Sequence, residues 1–323
     1  MGKDRVCLTT FIYGEAYQNY IPFLVYSCHK SYPEYDIVLF VYGALAENVR
    51  RSLDYLAVQN CRIVENAFVD CPRMTPLKAQ SLRWVLWNDT FANYDYLYIV
   101  DIDMLYIREP KPLHEQHIEH MQTTSLCYDN IRRPIVRKPW KPYTFGKRLK
   151  EAGLRSMWQF IFGNKKEYRA TGLHFIDVKG YYSHLTKPVI EKYKRDIYNK
   201  SFLSYVMTPN DEALLYKILE REALSPNRLA IQDDSVKMLD FNNCKRPQFR
   251  PHHGIHLGMF RHSIGDISEN PNFLNILNSA AYKYYIDVYR REIMNDVVFT
   301  TLIDTLPQKI KQYFHRLNEF YNL

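Results

Sequence analysis

Residues 96–108 read "YLYIVDIDMLYIR": two carboxylates, Asp101 and Asp103, break an otherwise apolar run at alternate positions. Alternate residues of an extended chain face the same side, so the two acids are expected to converge on one point. Two bare carboxylates there repel and raise each other's pKa unless a cation lies between them. Oxygen-rich ligation suits a hard divalent ion, Mg2+ or Mn2+, whose remaining positions are filled by substrate phosphates and water. The spacing thus points to a metal clamp for a diphosphate; the plainer alternative is a strand ending in a turn, with its acids simply exposed. A nitrogen ligand is the other expected part, because Mn2+ accepts imidazole beside oxygens. The segment "HHGIHLGMFRH" (252–262) offers candidates. In it His256 is followed by Gly258, which permits close backbone approach, and by Arg261, a permanent cation able to neutralise phosphate.

Such groups need a scaffold that brings distant stretches together. "RVCLTTFIY" (5–13) reads as a buried strand, "AYQNYIPFLVYSCHKSY" (16–32) as a helix with Pro22 near its start, and "YDIVLFVYG" (35–43) as a second buried strand. "LAENVRRSLDYLAVQ" (45–59) is an amphipathic helix, followed by the short strand "CRIVEN". "TPLKAQSLRWVLWNDTF" (75–91) is another helix, with Thr75 as N-cap and Pro76 at the first helical position. Strand "YLYIV" comes next. This alternation predicts an α/β fold: a mostly parallel sheet flanked by helices. Ligands of such sheets bind beyond the carboxyl ends of the strands, where Asp101 and Asp103 fall. Between about 131 and 165 the pattern breaks: "IRRPIVRKPWKPYTFGKRLK" carries eight lysines and arginines, three prolines and no acid, as an exposed loop or small subdomain would. Order resumes with the strand "TGLHFIDV" (171–178) and helices at about 179–197 and 210–222, and residues 272–323 read as helical to the end.

The bulk numbers limit the class of protein. At 323 residues, 46% hydrophobic and 24% charged, the chain is long enough and apolar enough for a sizeable core. A net charge of +8 favours acidic partners such as phosphate groups, nucleic acid or an anionic membrane surface. The 27 tyrosines suit stacking on sugars or bases, and equally suit half-buried strand and helix faces. Six cysteines without CxxC pairing read as reduced thiols, not as a disulfide framework or a zinc site, which favours a cytoplasmic setting. No apolar run approaches the roughly 18 residues of a membrane span.

Taken together, "CLTT" (7–10), "DID" (101–103), "ATGLHF" (170–175), "NDEALL" (210–215) and "HLGMFR" (256–261) resemble, in order, the pattern of the glycogenin-like family 8 glycosyltransferases. The resemblance implies a GT-A (Rossmann-like) catalytic domain over 1–262, with the basic stretch as an insertion and 263–323 as a helical C-terminal extension. It implies that Asp101, Asp103 and His256 hold Mn2+ or Mg2+, with Asp101 and Ile102 also near the donor. Thr9 and Thr10 would lie near the nucleotide base, Tyr17 would stack on it, and Lys78 would contact the donor. Thr171, Gly172 and Gly258 would line the donor, Asp211 and Glu212 would face its sugar, and Arg261 would take the diphosphate. Three positions depart from the pattern: Ala170-Thr171-Gly172 replaces Asn-Ser-Gly, Asp211-Glu212 replaces Asp-Gln, and Arg261-His262-Ser263 replaces Lys-Pro-Trp.

The implied reaction moves a hexose from a nucleotide-diphosphate sugar, with UDP-hexose as the expected donor, to a hydroxyl of a carbohydrate, glycolipid or protein acceptor, with retention of configuration. Two alternatives share part of this pattern. A haloacid-dehalogenase-type phosphatase also ends a strand in D-x-D, but near its N-terminus and followed by Thr, where this chain continues Met104-Leu105. A basic glycan- or nucleic-acid-binding protein would explain the charge but not the ordered acids and histidine, so nucleic acid is not an expected partner. The aromatic and basic C-terminal helices suit core packing or a homodimer face, with shallow peripheral contact to an anionic membrane as a further reading.

Overall fold

The computed structural model describes residues 4–135, 167–199, 210–229, 231 and 253–323. Most of the basic stretch, from 136 to 166, lies outside the described residues, as does Cys244. Ten strands are described: β1 (Val6–Ile12), β2 (Asp36–Val41), β3 (Cys61–Val64), β4 (Tyr96–Ile99), β5 (Met104–Tyr106), β6 (Tyr128–Asp129), β7 (Arg132–Pro134), β8 (Tyr168–Ala170), β9 (His174–Asp177) and β10 (Gly254–His256). Six form the central sheet in the order β3-β2-β1-β4-β9-β6. The pairs β3–β2, β2–β1 and β1–β4 are parallel, and β9 alone runs against its neighbours. The fold is therefore the expected mixed α/β architecture, a mostly parallel sheet flanked by helices.

The alternation of side chains along β1 divides the core between the two faces. Val6, Leu8 and Ile12 join one apolar cluster, and Cys7 and Phe11 join the other. Along β2 the same division separates Ile37, Leu39 and Val41 from Val38 and Phe40. The first face is covered by α1 (Ile21–Ser31) and by C-terminal helices, of which α2 (Ala280–Val288) and α3 (Gln308–Tyr321) matter most below. Burial of β-branched and aromatic side chains on both sides is what a parallel strand requires. The chain leaves β1 toward β2 and β3, then returns to pair β4 on the other side of β1. The carboxyl ends of β1 and β4 therefore flank a switch point, the usual place for a ligand crevice in such sheets.

Several local expectations change. The helix expected over 75–91 is α-helical only from Pro76 to Leu82, then continues as a 3-10 turn over Arg83–Val85. Thr75 does cap it, its hydroxyl accepting from the Lys78 N–H at 3.3 Å. The region expected as one helix at 179–197 is two, Val178–His184 and Lys187–Tyr198, separated at Leu185 and Thr186. More consequentially, β4 ends at Ile99, and Asp101 and Asp103 lie in the turn that leads into β5. The directions of the two acids are therefore set by this turn and not by strand alternation.

Candidate active site

The turn after β4 is held from both sides. The Val100 N–H donates to the Thr9 carbonyl at 3.0 Å, tying it to β1, and the Leu257 N–H donates to the Asp103 carbonyl at 2.9 Å. The second tie belongs to an antiparallel pairing of β5 with β10, in which His256 stands opposite Met104. That register sets the imidazole of His256 beside Asp103, with Nε2 3.2 Å from Oδ2. Both side chains keep partial access to solvent. Burial works to raise the Asp103 carboxyl, but the charge and hydrogen bond of His256 outweigh it and hold it below the usual carboxylate range. Conversely, burial would lower His256, and Asp103, with Asp101 adding to it, holds the imidazole above its ordinary value.

Glycine makes this meeting sterically feasible. A Cβ at Gly258 would stand 2.2 Å from Asp103 Oδ2 and 2.9 Å from His256 Nε2. Gly172 does the same for the other acid, since a Cβ there would lie 3.0 Å from Asp101 Oδ2. Gly254 lets β10 cross β5 closely, because a Cβ would meet the Leu105 carbonyl oxygen at 2.0 Å.

Asp101 is bound to Arg83, whose other terminal nitrogen donates to Asp211 Oδ2 at 2.8 Å. Burial disfavours the guanidinium charge, and the two carboxylates more than offset it. Asp211 opens the helix Asp211–Arg221, capped by Asn210, whose side chain accepts from the Ala213 N–H at 2.8 Å. Beside it Glu212 accepts from Arg169 at 2.7 Å. Burial raises the Glu212 carboxyl, with Arg169 and Arg133 opposing. Thr171 is fixed by Asn130, whose Oδ1 accepts from the Thr171 N–H at 2.8 Å and from its hydroxyl at 2.7 Å.

Asp101, Thr171, Gly172, Glu212, His256, Gly258 and Arg261 line one pocket of ≈ 300 Å3, and Asp103 contacts the His256–Gly258 side of it. The other expected residues do not line it. Thr9 is buried in the sheet, its hydroxyl donating to the Val38 carbonyl at 2.8 Å, and Thr10 is buried beside it. Tyr17 is exposed and packs against Tyr20, and Ile102 is buried. Lys78 is buried, with Nζ donating to the carbonyls of Pro72 at 2.9 Å and Tyr198 at 2.8 Å. Asp211 reaches the site through Arg83.

Sequence reasoning missed Arg83, which sits in the apolar run "SLRWVLW" where a cation is out of place; that anomaly was the available signal. It also missed the deep end of the pocket. There Asp129 accepts from His117 at 2.6 Å and from His120, and these bonds outweigh burial and bring its carboxyl to about 2.

The donor chemistry suits a divalent cation: Asp101 and His256 line one pocket, Asp103 meets His256 at its edge, and Gly258 leaves open the space over Asp103 and His256. Among the described residues, no three ligating side chains converge on one point. Asp103 and His256 form a pair, and Asp101 is engaged by Arg83.

No protein-family model matches this chain, and no curated protein does. Solved structures are similar to it. The galactosyltransferase LgtC in complex with donor and acceptor sugar analogues aligns over 95% of this chain and 99% of its own, at 15% identity and a TM-score of 0.39. Core-mannan synthase A from Aspergillus fumigatus, in a Mn/GDP form, aligns over 67% of this chain and 70% of its own, at 10% identity and a TM-score of 0.39. Apo-form glycosyltransferase GlyE of Streptococcus pneumoniae TIGR4 aligns over 72% of this chain and 46% of its own, at 10% identity and a TM-score of 0.35. These neighbours are glycosyltransferases.

Proposed function

We propose that this chain is a metal-dependent glycosyltransferase of the glycogenin-like family 8 type, transferring a hexose from a UDP-sugar to an acceptor hydroxyl with retention of configuration. The observation that carries this reading is the meeting of Asp103 and His256 over Gly258, at the rim of a pocket that also presents Asp101, Glu212 and Arg261. Residues 153 positions apart are brought into contact at a place where a side chain on the neighbouring Gly258 would force one of them to shift.

Asp103 and His256, with Asp101 beside them, would hold Mn2+ or Mg2+, which when bound supplies positive charge to the diphosphate oxygens. Arg261 adds a fixed cation at the pocket mouth, where the departing diphosphate gains charge as its bond to the anomeric carbon breaks. Lys78, expected to contact the donor, is left out of this reading, because its ammonium is committed to two backbone carbonyls. Arg83 ties Asp101, which lines the pocket, to Asp211 behind it, so the Asp101 carboxylate would be held in a fixed direction toward the donor. Glu212, steadied by Arg169, lines the same pocket and faces the reacting ring. The acceptor oxygen forms the new bond to the anomeric carbon, and its proton leaves with the diphosphate or to solvent.

A panel of nucleotide sugars incubated with Mn2+ and scored for release of nucleoside diphosphate tests the reading. At least one donor should be cleaved, and Asp103→Ala should cut that rate by about 10²-fold or more. Failure of every donor to be cleaved or bound would refute it.

A further inference from the structure

The C-terminal helices do more than complete the core. In α2, Tyr282 is fully buried and its hydroxyl accepts from the backbone N–H of His256 at 3.2 Å. In α3, Nη1 of Arg316 donates to the carbonyl of Phe260 at 3.1 Å and to that of Arg261 at 2.9 Å. Phe320 of the same helix meets Phe260 edge-on, with ring centroids 6.5 Å apart. The helices thus grip the segment 256–261 at both ends, at His256 and beside Arg261, both of which line the pocket.

This grip has a physical rationale. Leu257–Arg261 is a single 3-10 turn, too short to satisfy its own last carbonyls. A cation at such an end both donates to the orphan oxygens and complements their partial negative charge. Arg316 is that cation. Fixing the peptide planes at 260 and 261 fixes the origin of the Arg261 side chain, which is itself exposed beside the pocket it lines and whose Nε donates only to the neighbouring His262 at 3.3 Å among the described residues.

We infer that Arg316 is a positioning residue for Arg261: the C-terminal helices hold the cation of the pocket mouth where a diphosphate is received. The inference rests on the diphosphate reading of the site, and its test separates the two.

The probe is inorganic pyrophosphate with Mn2+, titrated calorimetrically into the full chain. Wild type should bind. Arg261→Ala should weaken binding, and Arg316→Ala should weaken it by about tenfold, the effect of losing a charged hydrogen-bond anchor. Arg316→Lys, which can still donate to both carbonyls, should restore most of the affinity. In the Arg261→Ala background, Arg316→Ala should add nothing, because the residue it positions is gone. A purely structural role would instead give additive losses and no rescue by lysine. Should Arg316→Ala fail to fold, Arg316→Gln carries the same expectation of weakened binding. Wild-type affinity in the folded variant, or additivity in the double variant, would overturn the positioning role. No binding by wild type would overturn the diphosphate site itself.

Discussion

Replacing Gly258 by alanine is a sharp test of the paired ligands, because the structure sets the size of the perturbation. The new methyl carbon would stand 2.2 Å from Asp103 Oδ2, and real contacts of that kind do not fall below 3.0 Å, so one group must move by about 0.8 Å. The second contact, 2.9 Å to His256 Nε2, blocks retreat on the other side. Both obstacles are ends of side chains, so the fold can yield, and overpacking of this kind costs about 1–3 kcal/mol of stability. The site cannot yield so cheaply. Metal ligands tolerate about 0.2 Å of error, and a misplacement near 1 Å costs about 10²-fold in rate. Gly258→Ala should therefore melt cooperatively, a few degrees below wild type, yet lose about 10²-fold in Mn2+-dependent donor cleavage. Mn2+ binding followed by electron paramagnetic resonance should weaken in parallel. Wild-type Mn2+ affinity and turnover in a folded Gly258→Ala chain would refute the claim that Asp103 and His256 hold a metal together.

Two other perturbations follow from the buried polar groups. Arg83→Ala leaves the carboxylates of Asp101 and Asp211 without their shared cation, which for a buried pair costs about 3–5 kcal/mol; Asp101 retains 28% exposure, so the low end, about 3 kcal/mol, is expected in urea unfolding, and a loss under 1 kcal/mol would contradict the pairing. His174 is fully buried, and burial lowers its imidazole to about 3, so it stays neutral and accepts a hydrogen bond from Asn130 at 3.0 Å. An unfolded histidine titrates near 6.5, so below that pH the unfolded chain binds a proton that the folded chain refuses, and stability falls as pH falls. Between pH 7 and pH 5 this group alone should remove about 2 kcal/mol. His174→Gln should flatten that part of the urea-midpoint profile, and an unchanged slope would show that His174 is not held neutral.

The elements that could be read from the sequence were those whose signals are local. Thr75-Pro76 announced a helix start, and the β-branched runs of β1 and β2 announced strands buried on both faces. The two acids stand out in the sequence by a strand spacing that the structure does not keep. Asp101 and Asp103 lie in a turn whose shape depends on hydrogen bonds from Val100 to β1 and from Leu257 to Asp103, and they meet different partners, Arg83 and His256. The second of these hydrogen bonds spans more than 150 residues, and no local spacing encodes it. His256 was identified by the glycine and arginine after it, whereas its position is set by the register of β10 on β5.

Lys78 and Arg83 show the same limit from the opposite direction. Each is a cation on or just after one short helix, and only Lys78 falls at a position the family resemblance assigns to the donor. Which of them reaches the acids of the site depends on helical phase relative to the sheet, and the α-helix gives way to a 3-10 turn at Arg83. Lys78 is left pointing at the carbonyls of Pro72 and Tyr198, while Arg83 is turned toward Asp101 and Asp211. A buried lysine can satisfy itself on carbonyls, but a buried arginine flanked by two acids is held in one geometry by its rigid fork. The constraint therefore falls on the residue that the motif did not include, and a charge placed in an apolar run is the sequence feature that would have identified it.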